Sequence, residues 1–173
     1  MNEPGIGEVK QSEVGRAADL FLKACGRHKI LAATAESCTG GLIIAAMTDI
    51  PGSSSMVDRG FVTYSNEAKI EMLGVSPATL DAQGAVSAQT AREMAAGALA
   101  RSHAGIALAV TGIAGPDGGS PGKPVGLVWF GLALKGREPS TEKCVFENRG
   151  RDYIRRKTVL HALEMGLKAL SED

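Results

Sequence analysis

Apolar and polar residues along the chain follow two alternating patterns. Apolar residues recur every three or four positions over residues 13–25 and 152–170, which is the spacing of an amphipathic helix. The segment 141–147 alternates apolar and polar residues and predicts an outer strand. Four further segments rich in apolar residues also predict strands, at 29–36, 60–65, 105–111 and 125–134.

Helix signals lie between these strands. Ser65 and Ser87 are placed as N-caps of helices at 66–73 and 88–102, and Gly74 is placed to end the first of these. Further helices are predicted at 42–48 and from Pro77. Strand–helix alternation that ends in a hairpin predicts an α/β fold. We expect a three-layer α/β/α sandwich on a mixed sheet, mostly parallel with an antiparallel hairpin. Residues 1–12 are predicted to be a flexible tail and residues 13–173 a single domain.

Charge and composition narrow the function. The chain has 19 Lys and Arg residues against 19 Asp and Glu residues, so its formal net charge is zero. This balance argues against a nucleic-acid or membrane-surface partner, since both attract proteins with excess positive charge. Aromatic residues make up only 4% of the chain while glycines number 22, so the core must use small and aliphatic side chains that allow close packing. There is no signal for secretion or membrane insertion, and we expect a cytoplasmic protein.

Metal and disulfide chemistry find little support in the sequence. The three cysteines, Cys25, Cys38 and Cys144, are far apart, and neither they nor the three histidines have the spacing of metal ligands. We therefore expect no metal and no other cofactor.

The strongest candidate for a site is the segment 36–41, Glu-Ser-Cys-Thr-Gly-Gly, which lies between a predicted strand and a helix. Ligands of α/β proteins bind beyond the carboxyl ends of strands, and a helix that starts there offers backbone N–H groups to an anion. A nucleophile or a hydrogen-bond donor could come from Ser37, Cys38 or Thr39. The alternative is structural: Ser37 or Thr39 only caps the helix, and Gly40 and Gly41 only form the turn.

Two further groups of residues carry possible chemistry. Lys69 follows Tyr64 by about one helical turn and could act as a base if burial lowers its pKa, although a solvated lysine is the simpler interpretation. Cations crowd the start of the last helix against its dipole, which suggests an anionic partner, with a solvated face that carries i,i+4 ion pairs as the equal alternative. These cations are Arg149, Arg151, Arg155, Arg156 and Lys157.

Familiar phosphate-binding motifs are absent. The segment 118–124 differs from a Walker loop in its glycine spacing and has Pro124 where Ser or Thr is required. No G-x-G-x-x-G follows the first strand. The loop 112–124 contains five Gly and three Pro, and a loop of this length inside a domain is usually functional or mobile.

Several ordered blocks of sequence together resemble the CinA C-terminal domain family, the nicotinamide-nucleotide amidases. The resemblance covers residues 10–170 and is to the stand-alone form of the family. The blocks are AESCTGG (35–41), GFVTYSNEAK (60–69), GAVS (84–87), TGIAGPDGG (111–119), KPVGLVWF (123–130) and RDYIRR (151–156).

The resemblance implies a CinA-like fold and hydrolysis of the carboxamide of nicotinamide mononucleotide (NMN) in pyridine nucleotide salvage. It implies Ser37 as nucleophile, Lys69 as general base, Tyr64 as an orienting or proton-relaying hydroxyl, and Thr111 as a hydroxyl that donates to the substrate or to the lysine. Arg151 and Arg155 become candidates for binding the phosphate. The substrate-binding set is completed by Thr39, Gly40, Gly41 and Gly112.

Other functions remain open at this point. Cys38 competes with Ser37 as the nucleophile. The glycine-rich turn and the arginines also fit a nucleotide-binding or regulatory module without turnover. A phosphotransferase or pyrophosphatase would need Mg²⁺ ligands, for which Asp117 is the nearest candidate. Alanine-rich helices could pack within one subunit or between two, so a homodimer is an expectation that the sequence does not fix.

Overall fold

A five-stranded mixed sheet forms the middle layer of the molecule. The computed structural model describes residues 6–171, with side chains from residue 13 onward. Strands β1 to β3 are parallel to one another, and β4 and β5 continue the sheet in antiparallel fashion, in the order β2-β1-β3-β4-β5. The strands are β1 (Ala32–Glu36), β2 (Val57–Val62), β3 (Ile106–Gly112), β4 (Leu127–Leu134) and β5 (Ser140–Val145).

Six α-helices cover the two faces of this sheet. One face packs against α1, α2 and α6, and the other packs against α3, α4 and α5. The helices are α1 (Ile6–His28), α2 (Leu42–Thr48), α3 (Asn66–Leu73), α4 (Pro77–Gln83), α5 (Ala88–Ala100) and α6 (Arg151–Ser171). The predicted three-layer sandwich on a mixed sheet is confirmed.

Most predicted elements appear where the sequence places them. Helices α2 and α3 have the predicted bounds, and Ser65 caps α3 by accepting a hydrogen bond from the Ala68 N–H. Strand β2 begins at Val57, three residues earlier than expected. Part of the predicted tail, residues 1–5, lies outside the described residues, whereas residues 6–12 form the start of α1. The single-domain assignment stays a prediction.

The two faces of the sheet differ in side-chain size. Alternate residues of β3 contribute Ile106, Leu108 and Val110 to the face under α1 and α6, and Ala107 and Ala109 to the opposite face. Because side chains alternate along a strand, this pattern gives one thick core layer and one thin layer. The thin layer brings the backbone of α5 close to the sheet.

Two glycines mark this close approach. A Cβ atom at Gly131 in β4 would collide with the carbonyl oxygen of Ala91 in α5. A Cβ atom at Gly97 in α5 would collide with the carbonyl oxygen of Leu73, at the end of α3. The small residues that the composition predicted therefore allow the backbone of α5 to contact the backbones of β4 and α3 directly.

No helix within residues 6–171 is long and apolar enough to cross a membrane.

The carboxyl ends of the three parallel strands meet at one edge of the sheet. In register, Glu36 at the end of β1 lies between Val62 of β2 and Val110 of β3. Residues that follow these three strands are therefore brought together, although they are far apart in sequence.

Replacing glycine by alanine should have opposite effects in two helices. Gly97→Ala should lower the free energy of unfolding by about 1–3 kcal/mol, because the new Cβ meets a backbone carbonyl that cannot rotate away. Gly15→Ala in α1 meets no atom within 4 Å and should raise the free energy of unfolding by about 0.5–1 kcal/mol. Denaturant titration of both variants measures the difference, and equal effects at the two positions would contradict the close packing of α5.

Candidate active site

A cavity of about 190 Å³ opens at the carboxyl edge of the parallel strands. Its walls come from the ends of β1 and β3, the start of α3, the segment before α5, the loop after β3 and the start of α6. The lining residues are Ser37, Cys38, Tyr64, Lys69, Ala85, Val86, Thr111, Gly112, Ala114 and Arg151.

Lys69 lies buried beside Ser37 in this cavity. The Ser65 cap starts α3 directly after β2, which places Lys69 one turn into the helix and facing inward. The side chain is 1% exposed, and its Nζ lies 3.1 Å from Ser37 Oγ. Nζ also donates to the carbonyl oxygen of Thr63 at 2.9 Å, with longer contacts to the carbonyls of Tyr64 and Ser65.

Burial favours the uncharged form of this lysine. Loss of hydration lowers the pKa of Lys69 from its ordinary value of 10.5, and the nearby Cys38 sulfur opposes this with a smaller upward effect. A neutral amine has two N–H bonds and one lone pair. With its N–H groups directed at backbone carbonyls, its lone pair is free to accept the Ser37 O–H.

The turn that carries Ser37 is built around the buried carboxylate of Glu36. One oxygen, Oε2, accepts the Thr39 hydroxyl at 2.6 Å and the N–H groups of Gly41 and Ile43 at 3.0 Å. The other oxygen, Oε1, accepts the Ile44 N–H at 2.9 Å and the Thr34 hydroxyl at 3.2 Å. The carboxylate thus satisfies the first N–H groups of α2, a role that the sequence left to Ser37 or Thr39.

The two glycines of the turn adopt backbone conformations that disfavour other residues. Gly40 and Gly41 have φ values of 59° and 102° in the left-handed region. The Gly40 N–H donates to the Ser37 carbonyl, and the Gly41 N–H donates to Glu36. Thr39 is fully buried with its hydroxyl bonded to Glu36, and none of the three residues lines the cavity.

Tyr64 and Arg151 form the outer rim of the cavity. The Tyr64 side chain is 64% exposed, and its hydroxyl oxygen accepts a hydrogen bond from Arg151 at 3.2 Å. Arg151 also donates to the carbonyl of Gly115 at 2.9 Å, which ties the glycine- and proline-rich loop to α6. A cation therefore stands at the entrance, and uncharged groups form the interior.

Thr111 forms a further part of the cavity wall. Its hydroxyl donates to the Ala85 carbonyl at 2.7 Å, so its hydrogen is committed and its oxygen is left as an acceptor. Gly112, next along β3, packs so closely on β4 that a Cβ atom would lie 2.7 Å from a Val128 methyl group. Close packing against β4 therefore accounts for the glycine at this position of the cavity wall.

Arg155 faces a different part of the molecule. Its Nε donates to the Cys38 carbonyl at 3.1 Å and its Nη2 to the Thr39 carbonyl at 3.0 Å. Its side chain lines a separate groove of about 290 Å³ between α1, α2 and α6. The guanidinium thus binds the backbone carbonyls of the turn that follows Ser37.

The Cys38 thiol is poorly suited to compete with Ser37. Burial raises the pKa of Cys38 to about 12, so the thiolate is scarcely populated at neutral pH.

The structure brings six of the ten predicted site residues together at the cavity and leaves four outside its lining. Those around the cavity are Ser37, Lys69, Tyr64, Thr111 and Arg151, with Gly112 in the wall. Thr39, Gly40, Gly41 and Arg155 lie outside the lining, and their predicted contacts with substrate stay predictions. Sequence patterns did not reveal Glu36 as the acceptor for the first N–H groups of α2, because this residue lies six positions before the helix, and they did not reveal the wall at Ala85 and Val86. Within the described part of the chain, no three His, Cys, Asp or Glu side chains cluster as metal ligands would.

A three-layer α/β fold with a serine and a buried lysine at the strand ends defines a small α/β protein with a hydrolase-type site. The chain belongs to the CinA C-terminal domain family, whose sequence model matches residues 16–170. The resemblance that the sequence blocks carried is thereby confirmed.

Relatives agree with this assignment in sequence and in structure. The chain is 54% identical over 134 residues to the nicotinamide-nucleotide amidohydrolase PncC of Enterobacter agglomerans, covering 78% of this chain and 81% of that protein. It is 49% identical to PncC of Escherichia coli K12, covering 90% and 94% of the two chains. The crystal structure of the competence/damage inducible protein CihA from Agrobacterium tumefaciens superposes with a TM-score of 0.88 at 48% identity, covering 99% of both chains.

Other relatives are longer. The chain spans about a third of the length of several proteins named putative competence-damage inducible protein, for example 35% of the one from Caldanaerobacter subterraneus.

Replacing Lys69 should change how stability depends on pH. Because folding lowers the pKa of this amine, the unfolded chain binds more protons than the folded chain between the lowered value and about 10.5. The Lys69 contribution therefore makes the free energy of unfolding rise with pH across that window. Lys69→Met removes this contribution and should flatten the rise.

Denaturant titrations from pH 7 to pH 10 compare the two proteins. Cys25, whose pKa burial raises to about 12, affects both proteins alike. Cys38 interacts with Lys69 and is replaced by alanine in both proteins, so the difference between the curves isolates Lys69. Parallel curves would contradict a buried amine with a lowered pKa.

Proposed function

We propose that this chain hydrolyses the carboxamide of NMN to nicotinic acid mononucleotide and ammonia, with Ser37 as nucleophile and Lys69 as general base. The observation that carries this proposal is the buried Lys69 amine 3.1 Å from the Ser37 hydroxyl, at the wall of a cavity. Support for the substrate comes from the two relatives named nicotinamide-nucleotide amidohydrolase, which are about half identical to this chain.

Acylation begins with proton transfer from Ser37 to Lys69. An unassisted serine hydroxyl is a weak nucleophile, so a neutral base within hydrogen-bond reach is needed to take its proton as Oγ attacks. The Oγ–C bond forms and the carbonyl π electrons move to oxygen, which gives a tetrahedral intermediate. The lowered pKa of Lys69 increases the fraction of neutral amine, which is the form that this step requires.

The same lysine completes the cycle. The Lys69 ammonium returns its proton to the amide nitrogen as the C–N bond breaks, so ammonia leaves and an ester to Ser37 remains. Lys69, neutral again, then takes a proton from the water that attacks this ester. Collapse of the second intermediate releases the carboxylic acid and restores the Ser37 hydroxyl.

Polar groups of the cavity fit the two ends of a carboxamide. Because the Thr111 hydrogen is committed to Ala85, the Thr111 oxygen accepts from the amide NH₂ group in this proposal, rather than donating to the substrate or to the lysine as the family resemblance implied. The Tyr64 hydroxyl accepts from Arg151 and keeps its own hydrogen for the developing oxyanion. The N–H groups of Gly40 and Gly41 already have acceptors inside the turn and are not assigned this task.

Arg151 is the residue that we assign to the phosphate. It stands at the exposed rim, where a guanidinium binds a phosphate through paired N–H groups while the ring of the nucleotide enters the cavity. Arg155 is bonded to two carbonyls and is not part of this assignment. A role in pyridine nucleotide salvage and a cytoplasmic location stay predictions.

Replacing Ser37 by alanine should abolish turnover and preserve binding. Ser37→Ala should lower kcat for ammonia release from NMN by at least roughly 10⁴-fold, because the covalent route is lost. The variant should still bind the nucleotide, since Arg151 and the cavity walls remain. Ammonia release measures turnover, and isothermal titration measures binding.

Two outcomes would count against the proposal. Substantial activity of Ser37→Ala on NMN would exclude the acyl-enzyme route. Nucleotide binding by the wild-type chain without ammonia release would favour the non-catalytic module instead.

Replacing Cys38 by alanine should leave the chemistry in place. With a pKa of about 12, the thiol does not take part as a nucleophile, so Cys38→Ala should keep most of the wild-type kcat, although it loses packing in the core. The steady-state rate of ammonia release is the measurement. A loss of activity as large as that of Ser37→Ala would assign the nucleophile to the cysteine.

A further inference from the structure

We propose that Glu36 and Arg155 act together as positioning residues that hold the Ser37 turn in its reactive geometry from opposite sides. This role rests on the proposed function, because it concerns the same nucleophile. Neither side chain lines the cavity, so both act through the backbone of residues 38–44.

Glu36 holds the N–H side of the turn. Its carboxylate is fully buried and accepts five hydrogen bonds, three of them from backbone N–H groups of the turn and of α2. A buried carboxylate is costly unless donors surround it, and here the donors are the backbone groups that follow the nucleophile. The anion thereby fixes where the chain leaves β1 and enters α2.

Arg155 holds the carbonyl side of the same turn. Its planar guanidinium donates from Nε and Nη2 to two consecutive carbonyls, those of Cys38 and Thr39. A fork of donors fixes orientation as well as distance, which a lysine at this position could not do. Arg151 lies one turn earlier on α6 and donates to the Gly115 carbonyl in the loop after β3. One face of α6 therefore binds both this loop and the turn that follows Ser37.

The two contacts hold successive parts of the segment that follows Ser37. Arg155 donates to the carbonyls of residues 38 and 39, and Glu36 accepts the N–H groups of residues 41, 43 and 44, so rotation of any of these peptide groups breaks a charge-assisted hydrogen bond. Ser37 itself follows Glu36 directly, and its own N–H donates to the Val110 carbonyl of β3. The hydroxyl is therefore held at 3.1 Å from Lys69 by groups that never contact the substrate.

Arg155→Ala tests this role against phosphate binding. If Arg155 positions the turn, the variant should lose about 10²-fold in kcat for ammonia release from NMN, with KM nearly unchanged, as expected for a nucleophile displaced by about 1 Å. A raised KM with wild-type kcat would mean that Arg155 binds substrate and would overturn the proposal.

Chemical rescue separates a positioning role from general destabilisation. The groove lined by Arg155 is open to solvent and shares no lining residue with the cavity, so methylguanidinium can enter the space that Arg155→Ala leaves. Added methylguanidinium should restore a measurable part of kcat in this variant and should not stimulate the wild-type protein. Absence of any rescue, in a variant that remains folded, would overturn the proposal.

Arg92→Ala is the matched control. Arg92 also donates to a backbone carbonyl, that of Pro139, but at the β4–β5 turn on the opposite edge of the sheet. Its loss should leave kcat unchanged and should show no response to methylguanidinium. A loss of kcat equal to that of Arg155→Ala would show that any broken arginine–carbonyl bond lowers activity, which would also overturn the proposal.

Glu36→Gln tests the other side of the turn. In either orientation, the new amide nitrogen faces a backbone N–H that it cannot accept, so the turn should shift and kcat should fall with KM nearly unchanged. If this variant does not fold, the Arg155→Ala experiments decide. If both variants fold, the double variant should lose less kcat than the product of the two single losses, because both act on one turn. Fully multiplicative losses would contradict a shared role.

The outcome remains separable from that of the proposed function. If the wild-type protein releases no ammonia from NMN, the proposed function fails. The crystal structures of Arg155→Ala and Arg92→Ala then decide the positioning role. Ser37 Oγ and Lys69 Nζ beyond hydrogen-bond distance only in Arg155→Ala would support it, and an unchanged distance in both would overturn it.

Discussion

The contact between the Lys69 amine and the Ser37 hydroxyl sets the requirements that the surrounding structure meets. Burial removes water from the Lys69 amine, and this loss of hydration lowers its pKa. A buried amine also needs hydrogen-bond acceptors for its hydrogens. The carbonyls at the junction of β2 and α3 provide them, with that of Thr63 at 2.9 Å. Because Ser37 follows β1 and Lys69 follows β2, the contact exists only when these two strands pair in parallel and in register.

Charge is arranged in layers around this contact. Hydroxyl groups, the Lys69 amine and small side chains line the cavity, while the Arg151 guanidinium stands at its rim and that of Arg155 lies behind the turn that carries Ser37. The buried carboxylate of Glu36 is stabilised by five hydrogen-bond donors. The position of each charge matters for the amine, because a nearby cation would further disfavour its protonated form and a nearby anion would favour it.

Local signals in the sequence predicted the elements well, and contacts between distant segments were harder to foresee. Helix α3 could be bounded because Ser65 and Gly74 act on their immediate neighbours. Strand β2 was placed three residues late because its first residues, Val57 and Asp58, carry little apolar periodicity. The motif around Ser37 located the site, and the family resemblance paired it with Lys69. No local pattern could show that Arg155 reaches the Cys38 carbonyl, since 117 residues separate them and only the docking of α6 brings them together.

The thin layer of alanine and glycine between α5 and the sheet has a consequence for the shape of the cavity. The residues just before α5, Ala85 and Val86, form a wall of the cavity, and α5 rests on the backbone of β4 and of the end of α3. A larger side chain between α5 and the sheet would push this helix away from the sheet and move Ala85 and Val86 outward with it. The width of the opening available to a substrate is therefore set by the smallest side chains in the protein, at positions that no substrate reaches.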